Sequence, residues 1–129
     1  MTHQCAELTR LFEAGQVDPE SFGHRQHLLV AFDMLHQYEF LEAMHRYSSG
    51  IQALAMGAGV PEKFNVTITL AFLSIIAERI HRDPSLDFEA FMVANPDLES
   101  GNLLARWYSS DQLNSDLART HFLLPREAA

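Results

Sequence analysis

Cysteine is nearly absent. Cys5 stands alone in 129 residues, which excludes an internal disulfide and any cysteine-rich zinc site. Long apolar runs are missing as well. The longest, within VTITLAFLSIIA at 66–77, covers about twelve residues, whereas a helix that crosses a bilayer needs about twenty. The opening MTHQCAELTR has no basic start and no apolar h-region, so no signal peptide is expected. A reducing, cytoplasmic setting is the expectation that follows. Positive charge is scarce: 9 Lys and Arg stand against 17 Asp and Glu, a net charge of −8 with histidines neutral. Nucleic-acid phosphates and an anionic membrane surface would both be repelled, so neither is an expected partner. A small-molecule ligand and a homo-oligomer stay open as partners.

What is present is a globular composition, 47% hydrophobic and 20% charged, in a chain long enough for one domain with a real core. Nowhere do apolar and polar residues alternate cleanly enough for a strand. The expected fold class is all-α. It is a compact single-domain bundle of about six to seven helices, spanning 1–129 with loose termini at about 1–5 and 125–129, around a central apolar helix at about 64–82.

The first helix, CAELTRLFEAG, puts Leu8, Leu11 and Phe12 on one face and ends at Gly15. The second begins near Ser21 or Gly23 and runs to about Gln37. The third covers EFLEAMHRYSSGIQALAMGAG, with Ser48, Ser49 and Gly50 expected to kink or split it. The fourth, FNVTITLAFLSIIAERIHR, is apolar on nearly every side, which marks a helix surrounded by others. Ser85 is the expected cap of a short helix through LDFEAFMVA. DLESGNLLARWYS reads as a further helix. Ser109 and Gln112 form a capping box for a last helix, DQLNSDLARTHFL, anchored by Leu113, Leu117 and Phe122.

The chemistry-bearing feature is SFGHRQHLLVAF at 21–32. Residues three and four apart share a helical face, so His24, His27, Leu28, Ala31, Met34 and Leu35 form one stripe. The histidines lie at its N-terminal end, at the edge of the core. Asn65 and Thr69 share a face with Phe72 and Ile76 and supply polar groups inside an apolar helix. Thr67 falls on another side, where it is expected to bond back to its own preceding turn. His24, His27, Asn65 and Thr69 together make a candidate ligand-binding site, in the usual form of an apolar pocket with a few placed polar groups.

A metal reading uses His24 and His27 as two ligands for zinc or iron. A stable site wants three or four, and the others would come from His36, His45, His81, Glu62 or Glu78. No HExxH stretch and no di-iron ExxH pattern is present, so no cofactor is required by the sequence. No catalytic residue can be assigned. The bland alternative is an interaction or assembly module whose histidines only tie helices together. Arg106, Trp107 and Tyr108 form a basic-aromatic group of a kind favoured in interfaces and pockets; the preferred reading is a core Trp107 and a solvated Arg106. Arg46 and Tyr47 precede the expected break at Ser48–Gly50, which would line a cavity; the alternative is an ordinary helix surface.

Phe22, His24, His27, Leu28 and Ala31 form F-x-H-x-x-H-L-x-x-A. This pattern resembles one in small bacterial helical proteins of unknown function. In that group an aromatic-His-x-Thr-x-Thr stretch follows about forty residues later. The corresponding stretch here is KFNVTIT, with Phe64, Asn65, Thr67 and Thr69, and ARWYSSDQLNSDLARTHFLLP is also similar to that group's C-terminal end. The resemblance covers most of the chain from Phe22 onward. It implies a helical fold and no particular activity. Asn65 stands where the pattern has a third histidine, so any metal site of the group would be one ligand short here.

Overall fold

A glycine in the left-handed region ends a helix without strain. Gly15 (φ +69°) and Gly59 (φ +76°) follow the first and third helices in that conformation. The structure, a computed structural model, describes residues 2–125, with side chains from Ala6 onward. Helix α1 spans Thr2–Glu13, α2 His24–Gln37, α3 Phe40–Gly57 and α4 Val66–Arg82. Three short helices follow: α5 (Phe88–Ala94), α6 (Ser110–Leu113) and α7 (Asp116–Thr120). Short 3-10 turns fill the connections, and no strand occurs among the described residues. The fold is the expected all-α bundle. Residues 2–5, expected within a loose terminus, have helical backbone; residues 1 and 126–129 lie outside the described residues.

Helix α4 is central. It packs against α2, α3 and α7 and buries Leu73, Ile76 and Ile80 among others. Leu28, Ala31 and Met34 of the α2 stripe are buried with them. Aromatic rings extend the core: Phe32 meets Phe88 and Phe91 at 5.5 and 5.0 Å, and Phe12 stacks on Phe22 at 5.5 Å.

Local chemistry corrects several boundaries. Helix α3 runs unbroken through Ser48–Gly50; Ser48 Oγ donates back to the Met44 carbonyl at 2.6 Å, so its hydroxyl is satisfied within the helix. Asp87, not Ser85, caps α5: its carboxylate accepts from the Ala90 N–H at 2.9 Å. The segment from Pro96 forms two 3-10 turns, Pro96–Glu99 and Leu103–Arg106, with Ser100, Gly101 and Asn102 between them. The Ser109/Gln112 capping box forms as expected. The helix it starts, however, ends at Leu113, and Ser115 caps a separate α7 through the Ala118 N–H. Leu117 and Phe122 are exposed, and Ala118 takes the buried position instead.

Arg79 and Asp97 brace the turn beside α4. The guanidinium donates twice to the carboxylate, at 2.8 and 2.9 Å, and once to Asn95 at 3.0 Å. Arg106 joins the same carboxylate at 3.0 Å, so it is paired and not merely solvated. These bonds pull the Asp97 pKa down to about 2, chiefly through the Arg79 hydrogen bonds and against the opposing effect of burial. A carboxylate with a folded pKa below its usual 3.8 stabilises the fold fully above about pH 4. That contribution is lost as pH falls from about 4 towards 2. Asp97 is about a quarter exposed (27%), so the expected contribution is about 1 kcal/mol. Urea midpoints of the wild type should drop between pH 5 and 2. Asp97→Asn should flatten part of that drop; an unchanged pH slope would remove the brace from the account.

Candidate functional site

The first turns of α2 and α4 meet the middle of α3 around a cleft of about 270 Å³. His24 and His27 line it from α2, Asn65, Ile68, Thr69 and Phe72 from the start of α4, and Tyr47 and Ile51 from α3. Lys63 and Phe64 complete the rim just before α4. All four residues singled out in the sequence therefore border one cavity. Their roles divide according to what each is already bonded to.

His24 Nε2 lies 2.8 Å from the Leu98 carbonyl. A carbonyl only accepts, so that nitrogen carries the proton and donates. His24 thereby joins α2 to the turn that Arg79 and Asp97 brace, while its ring edge meets Phe72 at 5.5 Å. Asn65 is similarly engaged. Its side-chain oxygen accepts from the Ile68 N–H at 2.9 Å and caps α4, and its Nδ2 donates to the Leu113 carbonyl at 2.8 Å. The asparagine thus starts the central helix and ties it to α6.

His27 is different. Its Nδ1–H donates to the Gly23 carbonyl at 2.9 Å, one turn back. Nε2 is then the lone-pair nitrogen, and no protein donor reaches it among the described residues. Burial pushes the His27 pKa below its usual 6.5; the Gly23 bond opposes this in part, and the nearby His24 reinforces it. The ring is neutral at pH 7, and Nε2 is a hydrogen-bond acceptor.

Two hydroxyls complete the site. Thr69 is 9% exposed and Tyr47 4%. Neither makes a side-chain hydrogen bond among the described residues, yet neither hydroxyl is fully sealed from solvent. A buried hydroxyl normally finds a partner. Both residues line the cleft, which leaves the cleft as the place where a partner can reach them. Burial raises the Tyr47 pKa, so the phenol stays protonated and able to donate. Tyr47 was not among the residues the sequence singled out for the site. Its only sequence signal was its position beside Ser48, Ser49 and Gly50.

Thr67 corrects the sequence reading. It is buried, but it does not bond back to its own helix. Its hydroxyl donates to the His121 carbonyl at 2.7 Å and accepts from the Leu123 N–H at 2.9 Å. Tyr108 OH donates to the Leu123 carbonyl at 2.8 Å, so α4 and Tyr108 hold residues 121–123 between them. Trp107, expected in the core, is 41% exposed.

Among the described residues, no group of three or more His, Cys, Asp or Glu could hold an ion. His36 donates back to the Phe32 carbonyl, and His45, His81 and Glu78 border other grooves. The groove along α1 and α3 is larger, about 490 Å³, but its charged groups answer one another: Arg46 pairs with Glu13 at 2.8 Å. The smaller cleft differs in holding two nine-tenths-buried hydroxyls, Tyr47 and Thr69, with no protein partner among the described residues. A second hollow of about 400 Å³ lies against it and shares His24, Ile68 and Phe72 as a common wall.

No helix among the described residues is long and apolar enough to cross a membrane. No protein-family model, curated protein or solved structure is significantly similar to this chain.

Proposed function

We propose that the cleft between α2, α3 and α4 binds a small organic molecule, and that this binding is the protein's function. The observation that carries the reading is the set of unpaired polar groups in one small apolar cavity. His27 Nε2 offers a lone pair, and the Thr69 and Tyr47 hydroxyls lack protein partners among the described residues. These groups reach solvent in the cleft, so a ligand that replaces water on them gains about 0.5–1.5 kcal/mol per hydrogen bond. Phe64, Phe72, Ile51 and Ile68 provide apolar walls. A cleft of about 270 Å³ suits a small metabolite. The ligand would present an O–H or N–H to His27 and apolar bulk to the rings.

This reading narrows the site to His27, Thr69 and Tyr47. His24 and Asn65 border the cleft but are bonded to Leu98 and Leu113, which supports a positioning role for both. The same two bonds favour the rival reading, an interaction module with structural histidines. The resemblance to small bacterial helical proteins includes His24, His27, Phe64, Asn65 and Thr69 of this cleft, and we place the protein in the cytoplasm on its single cysteine. With a net charge of −8 its partners are not nucleic acids.

A fragment screen by amide-correlation NMR tests the proposal. Hits should shift residues 24–27, 47, 51 and 63–72 together. Thr69→Val and Tyr47→Phe keep core volume and remove one hydroxyl each. Each should weaken the hits about tenfold and change stability by under ~1 kcal/mol. A library that never perturbs this set, or variants that bind unchanged, would leave the interaction module as the better reading.

A further inference from the structure

The cleft is free of carboxylates and has one cation at its rim. The chain carries 17 Asp and Glu residues, and none lines this cavity. Its one formal charge is Lys63, the only lysine in the sequence. Most cations of this acidic protein are neutralised in place. Arg10, Arg25, Arg46, Arg79, Arg106 and Arg119 all pair with carboxylates, whereas Lys63 and Arg82 have no ion pair among the described residues, and of these two only Lys63 borders the cleft.

Two helix ends add to this. The first turns of α2 and α4, helices of 14 and 17 residues, both face the cleft. Each N-terminus carries the equivalent of roughly half a positive charge. Gly23 gives α2 no side-chain cap, so its first N–H groups are not answered by a capping oxygen. Helix ends alone make no site. Here they surround Tyr47 and Thr69, both more than nine-tenths buried and unpartnered, and both able to donate to an anion.

We propose that the ligand is a small organic carboxylate with an apolar body, its charge held by Lys63, the two helix N-termini and the hydroxyl donors. This rests on the binding reading above and adds the sign of the ligand's charge. The carboxylate lies towards the exposed Lys63 at the rim, and the apolar body lies among Phe64, Phe72 and Ile68. A hydroxyl on that body reaches His27 Nε2, which is neutral and would repel a second anionic oxygen.

The test titrates the full chain, at low salt, with three molecules of one shape: 4-hydroxyphenylacetate, 4-hydroxyphenylacetamide and tyramine. The carboxylate should bind about tenfold tighter than the amide, and the amine weakest of the three. Lys63 is exposed, so Lys63→Gln should fold normally. It should weaken the carboxylate about three- to tenfold and leave the amide unchanged. If the amide or the amine binds as well as the acid, or if Lys63→Gln leaves the acid unaffected, the anion inference fails while the binding site stands. If none of the three binds at millimolar concentration and the fragment screen is also silent at these residues, the site itself is wrong.

Discussion

Thr67→Val should lower folding stability by about 2–4 kcal/mol, a large loss for a change that removes one oxygen and keeps the volume. The threonine is fully buried on the face of α4 that meets α7. Its hydroxyl serves two backbone groups at once, the His121 carbonyl and the Leu123 N–H. Valine fills the same space but answers neither group. Each group left unmet at this part-buried contact costs about 1–3 kcal/mol. Tyr108 would still hold the Leu123 carbonyl, so the segment would loosen rather than leave. The expected signature is a lower urea midpoint at unchanged slope, with faster hydrogen exchange at the Leu123 amide. Thr67→Ser keeps the hydroxyl and should recover most of the loss. A Thr67→Val midpoint within ~0.5 kcal/mol of the wild type would mean that water replaces both bonds.

Two residues further along, Thr69 should behave in the opposite way. Its hydroxyl bonds to no protein group among the described residues, so valine there should cost little stability and much binding. The contrast explains how much of this site the sequence could reveal. Helical spacing placed Thr69 with Asn65 and Phe72, and these three do share the cleft. The same spacing put Thr67 on another face, correctly, but spacing does not say what lies opposite. Its partners, His121 and Leu123, are 54 and 56 residues away and use backbone atoms, which leave no trace in side-chain pattern. Asn65 shows a related limit. An Asn before an apolar helical run is an N-cap signal, and capping is the work that its oxygen does. The reading as a site residue noted its polarity and overlooked the cap.

Long helices were legible because apolar periodicity accumulates over many turns. Helices α2 and α4 start and stop within about two residues of expectation. The region after Pro96 was not, because there a few capping bonds decide the outcome. Ser115 takes the Ala118 N–H and divides what periodicity read as one helix. Tyr47 was read only as a neighbour of an expected cavity-lining break at Ser48–Gly50, and α3 does not break there. One aromatic among Ala, Met and Ser on α3 looks like packing until the cavity beside it is seen.

Gly50→Ala joins the core to that cavity, and it should destabilise the fold even though alanine is the better helix former. Gly50 sits in the interior of α3, where alanine should gain about 1 kcal/mol from propensity. A methyl at this position, however, would run into the ring of Phe12. The far end of a phenylalanine usually swings aside. This ring is buried and stacked between Phe22 at 5.5 Å and Tyr47 at 5.9 Å, so it has little room to move. Overpacking of this kind costs about 1–3 kcal/mol beyond any propensity gain. The displaced ring would press on Tyr47, whose hydroxyl borders the cleft, so ligand affinity should fall along with stability. Phe12→Leu alone should also destabilise, by thinning the aromatic stack. The double variant should be more stable than the sum of the two single losses, because the smaller side chain makes space for the methyl. A double-mutant cycle from urea midpoints measures that coupling directly. Additive losses would show that the cost of a side chain at position 50 does not come from the Phe12 ring, and that the route from α1 through Phe12 to Tyr47 carries no strain.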